Sequence, residues 1–253
     1  MSARRGALFA YAFALVATQT HASLDVGAGS SLQVGDGALD LGCSNLSIEG
    51  SAAGTSGNVA GIVNLTIAGG SLSPGASTLT LGGDFSNAGT FVPGTSAVSI
   101  VDACGSGAST ASGATSFYDL IASTASGKRL VLPAGLTQSI AHGLTLQGAA
   151  GNLLQVVSSM PGQQALLDVS AAAAQSIAYV DARDDKASGA TIAPGTAASY
   201  RSVDGGDLTH WFADAVIGPG GDTAVPVPAL DRWLAVLLGM LLAAFAWRRS
   251  RMS

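Results

Sequence analysis

The chain has 253 residues, 34 of them Gly, with 11% charged residues, 6% aromatics and a formal net charge of −5. A single Glu (Glu49) and two Lys (Lys128, Lys186) exclude a coiled coil or long helical bundle, and 48% apolar residues exclude a disordered charged tail. No Gly-every-third period points to collagen, and no run of about 20 apolar residues in the middle points to a polytopic membrane protein.

Residues 1–22 have the layout of a secretory signal peptide. Arg4 and Arg5 form a basic start, Leu8 to Ala17 an apolar core, and Thr20 and Ala22 put small residues where a signal peptidase reads. Cleavage between Ala22 and Ser23 is expected, with an uncleaved membrane anchor as the alternative.

Residues 23–217 form the expected ectodomain. Between Ser23 and Ala229 there are five basic and fifteen acidic residues, a net of −10, which is unlike a nucleic-acid-binding surface. Short runs with apolar alternation recur: SLQV (31–34), ALDL (38–41), NLSI (45–48), VNLTI (63–67), TLTL (78–81), AVSIV (97–101), FYDLI (117–121), RLVL (129–132), GLTLQ (143–147), LLQVV (153–157), ALLDV (165–169) and SIAYV (176–180). A period of two predicts a strand with one buried face. Leu32, Leu39 and Leu46 are seven apart, as are Leu65, Leu72 and Leu79, but the Gly and Ser between them oppose a helical heptad. Many short strands with tight polar turns predict an all-β fold, a right-handed parallel β-helix (solenoid) of roughly 20 residues per coil and roughly nine coils. An antiparallel β-sandwich is the alternative, and Asp36-Gly37 and Asp204-Gly205 are hairpin-type turns that would suit it.

Cys43 and Cys104 are the only cysteines. In an oxidising compartment such a pair is expected to form a disulfide, with two thiols or a metal site as alternatives. In a solenoid the bridge would tie coils two or three turns apart, so the chain would have to leave the coil path to make it.

The acidic residues Asp181, Asp184, Asp185, Asp204 and Asp207 gather near the end of this region, with His210 close by. Paired carboxylates could serve as general acid and base on a polysaccharide, with Asp184, Asp185 and His210 as the candidates. They could also hold Ca²⁺, but tandem G-G-x-G-x-D repeats are absent. Turn capping is the plainer use of Asp among glycines. His142 sits alone among apolar residues and reads as a turn or edge residue. The sequons Asn45-Leu46-Ser47 and Asn64-Leu65-Thr66 read as strand-turn residues. No motif for a catalytic triad, a metal or a cofactor is present, so the expected protein is non-enzymatic and cofactor-free.

Residues 218–226 form a linker containing Pro226. Residues 227–253 then combine Val227, Pro228, Ala229, Leu230 and Trp233 with the uncharged run 233–247 and a terminal cluster of Arg248, Arg249 and Arg251. The run is roughly 22 Å long as a helix, short for a bilayer core of about 30 Å. It is expected to form one transmembrane helix with the arginines cytoplasmic.

This tail resembles the IPTL-CTERM sorting signal of bacterial surface proteins: Pro228, Leu230 and Trp233 match in type and spacing, Val227 stands for isoleucine, and Ala229 departs from threonine. The resemblance implies the membrane and an exosortase-like processing enzyme as partners. Three phrases also resemble secreted bacterial β-helix and adhesin-like repeats: 82–91 (GGDFSNAGTF), 115–121 (TSFYDLI), and 176–181 followed by 209–212 (SIAYVD, THWF). They imply an exported envelope protein of structural or adhesin-like function, with a surface ligand that the sequence does not name and no nucleic acid.

Overall fold

The computed structural model describes residues 22–105 and 107–212. They form an all-β parallel solenoid of about eight turns, with no α-helix and one short 3₁₀ turn at Ala197–Tyr200. Parallel ladders between successive coils exclude the β-sandwich.

Each coil contributes to three faces. The first runs through 38–41, 58–60, 78–81, 97–100, 119–123, 143–147 and 174–178. The second begins at Ser23–Val26 and passes through 45–48, 65–67, 85–87, Ala108–Ser112, Arg129–Leu132, Leu154–Ser158 and Val180–Arg183. The third starts with Ser31–Val34, Ser51–Gly54, Ser71–Ser73 and Thr90–Phe91. It resumes at 115–117 and continues through 137–140, Ala165–Val169, Asp185–Gly189 and Leu208–Thr209. Ser31 lies beside Ser51 and Ser51 beside Ser71, a repeat of 20 residues. Later coils lengthen: Gly143 lies beside Ala174.

This geometry explains the leucine spacing. Seven residues are about one third of a 20-residue coil, so Leu32, Leu39 and Leu46 enter the interior from the third, first and second faces in turn. Leu65, Leu72 and Leu79 do the same one coil or more along. Along the first face Val59, Leu79, Val98, Leu120 and Leu144 stack rung on rung, each 5% exposed or less. Leu32 and Leu39 hold equivalent inward positions but are only partly buried, because no coil precedes theirs among the described residues. At the other end Gln175 takes the next inward rung. Its amide donates to Thr191 O and accepts from Ala193 N–H, so a satisfied polar plug ends the ladder.

Phe85, Phe91 and Phe117 fill the interior where the third face resumes. Their ring centroids are 5.3–5.9 Å apart in tilted and edge-on contacts. One corner carries a relay of side chains. Asn45 Oδ1 accepts from Asn64 Nδ2, Asn64 Oδ1 from the Asp84 N–H, and Asp84 Oδ1 from the Thr110 N–H. Asn45 and Asn64 are therefore strand-turn residues, as their sequence context predicts.

Candidate functional site

Cys43 and Cys104 form a disulfide across 61 residues, with Cα atoms 5.1 Å apart. Both cysteines stand on excursions from the coil path, which meets the geometric requirement. The ladder slips between Asp40 and Ser44, throwing Gly42 and Cys43 outward, and Cys43 has φ 62°. Cys104 has φ 54° and lies on the 101–107 connection. That connection folds back onto the coil beneath it. A Cβ on Gly82 would fall 1.5 Å from Ala103 O, and one on Gly105 would fall 1.7 Å from Gly82 O. Glycine at both positions is what lets this strap lie flat.

Beneath the strap is a polar knot with no motif in the sequence. Lys128 is 1% exposed, and its Nζ donates to Gly82 O at 2.6 Å, an oxygen that also accepts from Ser109 Oγ. Burial lowers the Lys128 pKa, while Asp102 and Asp84 act the other way. Burial would raise the Asp102 pKa, but hydrogen bonds from Ala125 N–H, Thr124 and Ser126 outweigh it and hold the carboxyl below its ordinary value. Thr124 Oγ1 accepts from the N–H groups of Ser126, Gly127 and Lys128 and itself donates to Asp102 Oδ2, so this hydroxyl ties the turn's backbone to the carboxylate.

The carboxylates near the chain's last coils have separate local partners. Asp184 has φ 53° at a corner, with its backbone N–H donating to Gly206 O. Asp185 turns into the core: it is 0% exposed, and its Oδ1 accepts from Trp211 Nε1 at 2.8 Å. His210 is exposed, with φ 56°. Asp204 Oδ1 caps Gly206 N–H, and Asp207 takes Gln164 Nε2. Asp181 sits against Gly205, where a Cβ would be 2.7 Å from its Oδ1. Asp36 accepts from the hydroxyls of Thr55 and Ser56, which hold its pKa below the ordinary value. Asp40 caps Gly42 N–H. Among the described residues no group of three or more His, Cys, Asp or Glu could hold a metal ion.

One outward cluster was not legible in the sequence. The ladder bulges between Phe117 and Asp119, and His142 of the next coil stacks on Tyr118, centroids 4.5 Å apart and planes 8° apart. His142 Nδ1 lies 2.8 Å from Asp119 Oδ1, so the carboxylate orients the ring. His142 stands at the corner between 137–140 and 143–147, a turn position in a strand paired on both sides.

Of the terminal sites, Ala22 and Ser23 are described: Ala22 O accepts from Asn45 N–H, and Ser23 opens the first strand. Residues 1–21 and the tail residues Val227, Pro228, Ala229, Leu230, Trp233, Arg248, Arg249 and Arg251 lie outside the described residues. Among the described residues no helix is long and apolar enough to cross a membrane. Neither a protein-family model, nor a curated protein, nor a solved structure matches the chain.

Proposed function

We propose that this chain is an exported bacterial envelope protein, non-enzymatic and structural or adhesin-like. In this reading it is a right-handed solenoid anchored or processed through its C-terminal tail. The observation that carries the reading is the Cys43–Cys104 bridge, because a structural disulfide belongs to an oxidising compartment outside the cytosol. That agrees with the two address-like ends of the sequence. Cleavage after Ala22 would keep every strand, since the first is Ser23–Val26, at the loss of one backbone bond from the Asn45 N–H to Ala22 O. The placement of the carboxylates supports a non-enzymatic role: Asp185 faces the core, Asp204 caps a turn and His210 lies outside.

Deleting residues 226–253 should release a folded protein to the medium, and replacing Arg248, Arg249 and Arg251 together should impair envelope retention. Cell fractionation reads both. If the truncated chain remains envelope-bound in the same amount as the full chain, the tail is not the localisation element and this reading fails.

A further inference from the structure

Asp185 occupies a position that the fold reserves for apolar side chains. On the third face it sits between Ala165 and Leu208, one rung from the end of the described ladder. It is 0% exposed, Trp211 Nε1 donates to its Oδ1, and its Oδ2 has no hydrogen-bond partner among the described residues. A buried ionised carboxylate needs several donors, and one is too few.

Trp211 is also what closes the coil. It bridges Ile192 in parallel register, and the two flanking residues complete the pairing: Ile192 N–H donates to His210 O, and Phe212 N–H to Ile192 O. Trp211 then packs on Phe212, and Phe212 on Tyr200, with ring centroids 5.6 and 6.3 Å apart.

We propose that Asp185 and Trp211 form a pH-sensitive latch that holds the last coil, residues 203–212, onto the solenoid. The proposal rests on this packing alone and is independent of export.

The strands packed against Asp185 offer no opposite charge. Leu154–Ser158 carries no ionisable group. Ala165–Val169 carries only Asp168, which takes Ser188 Oγ. Leu208–Thr209 carries none; its neighbours Asp207 and His210 are exposed, as are Lys186 and Arg183, and the adjacent Asp184 is another carboxyl. Burial therefore pushes the Asp185 carboxyl up to about 7, with the Trp211 N–H opposing.

The sign follows from proton binding. Between the ordinary carboxyl value of 3.8 and about 7, the closed coil holds a proton that the opened coil has lost, so opening becomes more favourable as pH rises through this window and levels off above it. The limit is about tenfold per pH unit.

Amide hydrogen exchange of the full chain, corrected for intrinsic rates, reads the latch. Protection of residues 203–212 should fall at least tenfold from pH 4.5 to 7.5, while 154–158 stays constant. Asp185→Asn keeps an acceptor for Trp211 but cannot ionise, and should abolish the dependence. Trp211→Phe removes the donor and should move the upper end of the window to higher pH, a change that mere loss of packing would not produce. An unchanged slope in Asp185→Asn, or flat protection in the parent protein, overturns the latch. If Asp185→Asn does not fold, an unmoved window in Trp211→Phe overturns it equally.

Discussion

Removing the disulfide tests the strap directly. Cys43→Ser with Cys104→Ser opens a closed loop of 61 residues. The chain-entropy relation assigns such a loop about 4 kcal/mol at 25 °C, since cross-linking removes that much freedom from the unfolded chain. The native state should change little, because Gly82 and Gly105 still let the strap lie against the coil. Urea unfolding followed by far-ultraviolet circular dichroism should therefore show a midpoint lower by about 2 M, at a slope of about 2 kcal/mol per M. Reduction of the unmodified protein should give the same shift. Without reductant, the unfolded protein should take up no thiol label. A loss below about 1 kcal/mol, or two labels per chain without reductant, would refute the assignment of the bridge as a constraint on the unfolded state.

Phe85→Ala should cost about 3–5 kcal/mol in the same assay, because Phe85 is fully buried and touches both Phe91 and Phe117. Gly82→Ala should displace the strap, since its Cβ would meet Ala103 O at 1.5 Å; increased exchange of 101–105 with coils beyond 129 unchanged is the expected result. Asn64→Ala should cost about 1 kcal/mol, because the Asp84 N–H loses its acceptor and Asn45 Oδ1 keeps only the Asn64 backbone N–H, while Asn64→Asp should restore the acceptor for Asp84 but not the side-chain donor to Asn45.

Strands with large alternating side chains were legible in the sequence: TLTL, RLVL and ALLDV coincide with Thr78–Leu81, Arg129–Leu132 and Ala165–Val169. Strands such as Ser51–Gly54 and Ala108–Ser112 were not, because SAAG and ASTAS bury only alanine or serine and are held by ladder bonds from neighbouring coils. The SIAYV run breaks at Tyr179, whose φ of 55° turns the chain between two faces. The same effect hid the role of Asp185. Val180 and Ala182 face inward, and alternation continues to Asp184, which is buried; the left-handed corner there resets the parity, so Asp185 and Ala187 turn inward as well. The tie between Cys43 and Cys104 was legible as chemistry, but the glycines that make room for it were not legible as a path.

The relay from Asn45 through Asn64 and Asp84 to Thr110 has an evolutionary consequence. Each link joins one coil to the next and makes no use of the total number of coils. A duplicated block of one whole coil could be spliced into the line, with its own Asn or Asp receiving the link from one side and passing it to the other. A block of any other size would leave a donor or an acceptor stranded at the corner. The relay itself runs from Asn45 to Thr110, almost wholly between Cys43 and Cys104, so the bridge fixes the number of coils there, and a coil could be gained or lost along this line only with the loss of that bridge.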